Sequence, residues 1–134
     1  MNFEDLEVWK RFRQLSASIY RTLMNLKDFS FKDQITRSGL SIPCNIAEGF
    51  ERGTQRECIN FLSYSRGSCG ELRTQISIGI EIGYITKEIG EAWAKEAREI
   101  SSMLSSLIKT KRRFIQQAKS KISVPESSFL FPVS

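Results

Sequence analysis

The stretch "QISIGIEIGYI", residues 75–85, decides the fold. Ile76, Ile78, Ile80, Ile82 and Tyr84 recur at period two, the pattern of a half-buried strand. On that reading the middle of the chain carries a short β-hairpin arm. Read together with the residues before it, the same stretch is a helix. Cys58, Phe61, Leu62, Ser65, Cys69, Leu72, Ile76, Gly79 and Gly83 follow one another as a single helical stripe. The other isoleucines then coat a second side of that helix. A helix that is apolar nearly all round is buried on both sides. In so small a domain the second partner is another subunit, and Ile78, Ile80 and Ile82 are its expected contact. The phase continuity favours the helix and makes the chain all-α, with the hairpin as the competing reading.

Working outward, Thr54 and Glu57 fit the T-x-x-E capping box and start this helix. The first segment covers residues 5–26, where Leu6, Trp9, Phe12, Leu15, Ile19, Leu23 and Leu26 keep spacings of three and four. The second begins with Ser30 as expected N-cap and Asp33 as its capping carboxylate. It turns Phe31, Ile35, Ser38, Ile42 and Ile46 inward, and Gly49 is its expected stop. The fourth opens at Thr86 and runs to about Arg113 on Ile89, Trp93, Ala97, Ile100, Leu104 and Leu107. Its acids lie early and its bases late, as the helix dipole favours. Four such segments on short connections predict an up-and-down antiparallel four-helix bundle over residues 1–113. Residues 114–134 read as a basic, Ser-rich, flexible tail. Its Phe129, Leu130 and Phe131 form an apolar plug that either docks on a neighbour or is a loose end.

Composition narrows the chemistry. The 134 residues suffice for one core without metal or disulfide staples. No apolar run approaches the ~18 residues of a membrane span. The acidic, amphipathic start "MNFEDLEVWK" is not a signal peptide, so a cytoplasmic protein is expected. Cys44, Cys58 and Cys69 form no C-x-x-C pair and read as buried reduced thiols. The chain has no histidine, which removes His-based triads and the Glu-x-x-His pairs of di-iron bundles. The formal charge is +5, and no acid stands between Ile100 and Pro125. Lys109, Lys111, Arg112, Arg113, Lys119 and Lys121 all fall there. A run of this kind suits RNA, DNA or another polyanion, and equally a solvated helix end facing its own dipole.

A second stretch, "SIPCNIAEGFERGT" (residues 41–54), places a proline among helical residues. Pro43 has no N–H and meets the carbonyl of Gly39, so a kinked helix is expected, with Ser38, Ser41 and Asn45 satisfying freed carbonyls. A helix restart at Pro43 is the alternative. Asn45 and Glu48 are expected to lock the helix, with Ser68, Arg66 or Arg37 as partners for these polar groups. Arg52 and Arg56 are the second reading, as ligand or nucleic-acid contacts. Glu48, Glu57 and Glu71 are the third, as a carboxylate cluster for Mg²⁺ or Mn²⁺. No phosphate-loop motif is present, and no cofactor is expected.

Three pieces together, "LEVWK" at residues 6–10, "SIPCNIAEGFERGT" at 41–54 and "FLSYSRGSCGEL" at 61–72, carry a resemblance. They resemble the four-helix bundle proteins first described as products of intervening sequences in bacterial 23S ribosomal RNA genes, often labelled S23 ribosomal proteins. The accessory variability determinant of diversity-generating retroelements is a relative of these. The resemblance spans residues 3–113 in order and spacing. It implies a bundle assembling as a homopentamer and no enzymatic activity. For the retroelement relative it implies nucleic-acid binding on a basic surface and partnership with a reverse transcriptase.

The expectation is therefore a non-enzymatic oligomeric bundle that binds RNA or DNA and scaffolds a ribonucleoprotein. Lys109, Lys111, Arg112, Arg113 and Lys119 are its first candidate contacts, Arg52 and Arg56 its second. A protein–protein scaffold without nucleic acid is the first alternative. A carboxylate-only metal-dependent hydrolase is the other.

Overall fold

The computed structural model describes residues 2–122. A 3-10 turn, Phe3–Asp5, leads into four α-helices: α1 Glu7–Thr22, α2 Phe29–Glu51, α3 Gln55–Glu81 and α4 Lys87–Ile122. There is no strand among the described residues. The helices pack in ring order, α1 on α2, α2 on α3, α3 on α4 and α4 back on α1. Short connections make successive helices antiparallel. Phe12, Ile19, Ile35, Ile42, Ile46, Leu62, Leu72, Ile76, Ile100, Leu104 and Ile108 fill the space between them and are fully buried. On the rim, Arg11 of α1 forks onto Glu96 and Glu99 of α4, and this guanidinium holds the Glu96 carboxyl below its ordinary pKa.

Residues 75–81 are helical, and the strand reading fails for a local reason. The helix ends in a paired reversal: the Tyr84 N–H donates to the Gly79 carbonyl at 2.9 Å and the Gly83 N–H to the Ile80 carbonyl at 3.1 Å. Gly83 takes the left-handed conformation this needs, at φ 82°. It is therefore the turn rather than part of the inward stripe. The helix also divides the alternating isoleucines. Ile76 is in the core, while Ile78 and Ile82 are 48% and 52% exposed. Ile80 departs from the expected oligomer face: it packs against its own bundle, in the notch left by Gly90 of α4, where a Cβ would overlap it.

α2 starts two residues earlier than the Ser30 cap. Asp28 is the N-cap; its carboxylate accepts from the Phe31 N–H at 3.1 Å and from the Tyr84 hydroxyl at 2.8 Å. Asp33 instead pairs with Arg37 one turn on, at 3.0 Å. The helix runs unbroken through Pro43, so there is no restart. The Gly39 carbonyl, which loses its amide partner to Pro43, accepts from the Ser16 hydroxyl of α1 at 2.8 Å. The helix's own Ser38, Ser41 and Asn45 do not serve it. Asn45 donates to the Ser41 carbonyl at 2.8 Å and hydroxyl at 2.9 Å, and Ser41 meets Ser68 of α3 at 3.1 Å.

Gly49 does not stop α2, which continues to Glu51. It is a point of close approach: a Cβ there would lie 3.1 Å from Phe61 Cβ and 3.2 Å from the Cys58 carbonyl of α3. Glu48 locks nothing; it is an exposed partner of Arg52, 2.7 Å away. α3 starts as read, with the Thr54 hydroxyl accepting from the Glu57 N–H at 3.2 Å and lying 3.3 Å from the Glu57 carboxylate. Thr86 caps α4 through the Ile89 N–H at 3.3 Å. α4 passes Arg113 and continues to Ile122, so residues 114–122 are helix rather than tail. The Phe129–Phe131 plug lies outside the described residues. Cys58 and Cys69 are buried as expected, but Cys44 is exposed. Burial pushes the Cys69 thiol up to about 12.

Candidate nucleic-acid interface

The turn between α2 and α3, residues 52–54, lies against α4 near Lys111. The Lys111 ammonium donates to Gln55 Oε1 at 2.9 Å and sits 4.7 Å from the centre of the Phe50 ring. From that point α4 runs on for eleven residues, about 16 Å at 1.5 Å each, with Ile115 still packed against the core. This stretch brings together bases that are far apart in sequence. Arg56, Arg112 and Lys119 line one open groove of about 450 Å³ with Ile59, Asn60, Ile115 and Gln116. Arg56 and Lys119 also line an adjoining groove of about 630 Å³ with Phe114 and Ala118. Arg52 and Lys111 meet in a third hollow, built on Gly49, Gly53 and Thr54.

No carboxylate lines any of the three. The cations differ in how far they are already neutralised. Arg52 pairs with Glu48 and lies 4.9 Å from the Phe61 ring centre. Arg56, Arg112 and Lys119 form no ion pair among the described residues. Arg56 also stands in the first turn of α3, where the helix dipole adds positive potential. Beneath, Cys58 is buried, which raises its thiol pKa, and the Lys111 charge opposes the rise. A buried thiol of this kind is inert.

Lys109 and Arg113 are exposed on α4 but line none of these grooves. They stand four apart, at one edge of the stripe on which Arg112, Gln116 and Lys119 follow at i, i+4 and i+7. That spacing was the available signal for Gln116. Phe114, Asn60, Ile59 and Ile115 carried no such signal, because only packing of α3 on α4 sets them beside the bases. Glu48, Glu57 and Glu71 do not converge: no three metal-ligating side chains are grouped among the described residues. No helix there is long and apolar enough to cross a membrane.

Comparison with known proteins places this bundle. No curated protein matches the chain. Its fold is similar to a crystal structure of a protein of unknown function from the S23 ribosomal protein family of Bacteroides thetaiotaomicron VPI-5482. The two are 31% identical with a TM-score of 0.72, over 76% of this chain and 98% of that one. The model of the 23S rRNA-intervening sequence protein family matches residues 4–106, which hold all three motifs and most of the bundle. The chain belongs to the 23S rRNA-intervening sequence protein family.

Proposed function

We propose that this protein is a non-enzymatic, oligomeric helical bundle of the cytoplasm that binds RNA or DNA at the C-terminal stretch of α4 and scaffolds a ribonucleoprotein. One observation carries the reading. Arg56 and the Arg112–Lys119 face meet in grooves that hold no carboxylate. Cations brought together without counter-charge repel each other, and a polyanion removes that cost while releasing its own counterions. Copies of the chain assemble through the exposed Ile78 and Ile82, as a homopentamer by family resemblance, which multiplies the basic sites. The protein partner is a reverse transcriptase or another component of the particle.

The test is a titration of labelled structured RNA followed by fluorescence anisotropy at low and at physiological salt. Tight binding that weakens steeply with salt is expected. Replacing Arg56, Arg112 and Lys119 together with glutamine should abolish it. Binding that survives the triple replacement sinks the site, and absence of binding at low salt sinks the reading.

A second reading, a protein–protein scaffold, is favoured by the opposite end of the bundle. There Tyr20, Met24 and Phe29 stay exposed around an open groove of about 630 Å³. It takes the lead if RNA and DNA both fail to bind.

A further inference from the structure

Resting on the nucleic-acid reading above, we propose that the C-terminal stretch of α4 takes an unpaired nucleotide, its base stacked on Phe114 and its phosphates held by Arg56, Arg112 and Lys119. The preferred ligand is single-stranded nucleic acid rather than duplex.

Phe114 is 56% exposed, on the C-terminal stretch of α4 beside the start of α3. The helix holds it as a rigid platform. It lines the same groove as Arg56 and Lys119, floored by Ile115 and Ala118. On the other side of Arg56 and Lys119, the adjoining groove adds Arg112, the apolar Ile59 and the amides of Asn60 and Gln116. The two grooves share Arg56, Ile115 and Lys119, so a strand passing from one to the other meets phosphate-binding cations between two open recesses.

The surface does more than count phosphates. A duplex presents its backbone outward and keeps its bases stacked inside, where Phe114 cannot reach a π-face. Against a duplex, the apolar floor and the phenyl ring would lie unused beside phosphates and sugars. An unpaired strand offers π-faces to an aromatic platform while its backbone tracks a basic groove, the arrangement that serves single-strand binding generally. The amides of Asn60 and Gln116 can each donate and accept, as an unpaired base edge requires. Absence of lining carboxylates disfavours a cationic ligand.

The experiment uses the full chain and three labelled probes: a short strand without self-complementarity as RNA, the same strand as DNA, and its duplex. Anisotropy is measured over a range of salt. The wild-type protein should bind both single strands at least several-fold more tightly than the duplex. Phe114→Ala should weaken single-strand binding by about five-fold to a hundred-fold, the usual range for losing one stacked base, and leave duplex binding unchanged. Its salt dependence should stay that of the wild type, because no charge is removed; Phe114→Tyr should restore affinity. Arg112→Gln and Lys119→Gln should instead flatten the salt dependence, each by about 0.7 in log–log slope on single strands. Wild-type binding that is equal for strand and duplex, with Phe114→Ala neutral, overturns the stacking proposal and leaves the nucleic-acid reading standing. Loss in Phe114→Ala accompanied by a changed mass in light scattering assigns the ring to subunit packing and also overturns it. A wild-type protein that binds none of the probes removes the nucleic-acid reading, and the proposal with it.

Discussion

The Ser16 hydroxyl of α1 donates, at 2.8 Å, to the Gly39 carbonyl of α2, the one acceptor that Pro43 deprives of its helical amide. A proline inside a helix costs about 3 kcal/mol or more, partly through that orphaned carbonyl. Here a neighbouring helix supplies the missing donor, with Ser16 and Gly39 both buried. Ser16→Ala should therefore destabilise the protein by about 1–3 kcal/mol, the cost of a buried unsatisfied acceptor. In a Pro43→Ala background the amide returns, and the same serine replacement should cost markedly less. Denaturant unfolding of the four proteins in this cycle measures the coupling. Additive effects would show that Ser16 acts by packing alone.

Glycine positions separate packing from propensity. A Cβ at Gly79 would come within 3.0 Å of both Ile85 and Phe31 side-chain atoms, whereas one at Gly67 or Gly70 meets nothing within 4 Å. Gly67→Ala and Gly70→Ala should each stabilise α3 by up to about 1 kcal/mol, the helix-propensity difference. Gly79→Ala should destabilise by about 1–3 kcal/mol, because overpacking exceeds that gain. Thermal melts of the three variants decide the sign at each site.

Acid should loosen the end where α2 begins. The Phe31 amide and the Tyr84 hydroxyl hold the Asp28 carboxyl below its ordinary pKa. A carboxyl depressed in the folded state binds its proton less readily there than in the unfolded chain. Its contribution is fully present above the unfolded value, about 3.9, and is lost as pH falls through the folded one. Asp28→Asn should lower the melting temperature at neutral pH. The gap to wild type should narrow as pH drops below about 4. A gap that stays constant with pH would detach Asp28 from acid unfolding.

The bases of α4 should be unequal. Arg112 and Lys119 line a groove with Arg56, while Lys109 and Arg113 do not. Single glutamine replacements at Arg56, Arg112 and Lys119 should each weaken RNA binding and flatten its salt dependence. Replacements at Lys109 and Arg113 should do so less. Equal losses at all five would mean that only net charge matters.

Ile78 and Ile82 should behave differently from Ile80. Ile78→Glu together with Ile82→Glu should reduce the particle mass seen by light scattering without unfolding the chain, since both side chains are half exposed. Ile80→Ala should leave the mass unchanged and lower stability on the order of 1–2 kcal/mol, because Ile80 fills the Gly90 notch and is only partly buried. A wild-type mass equal to a monomer would remove the interface altogether.

The four helices were legible in the sequence because helical periodicity is a local property. The Phe12–Ile19 face, the Thr54–Glu57 box and the phase continuity from Cys58 to Ile76 each depend on residues within a few turns. Gly83 marked a turn only ambiguously, because a glycine on a stripe and a glycine at a helix end look alike until the chain reverses. The tertiary structure decided what depends on a second helix: Asp28 over Ser30 as cap, through Tyr84; Ser16 as the donor for Gly39; Gly49 as a crossing point instead of a stop; Ile80 turned inward onto Gly90. It also brought Arg56 of α3 beside Arg112 and Lys119 of the basic run, with Phe114 next to them. Hydrogen bonds and packing across helices join residues distant in sequence, and no pattern within one segment encodes which partner the neighbouring helix will present.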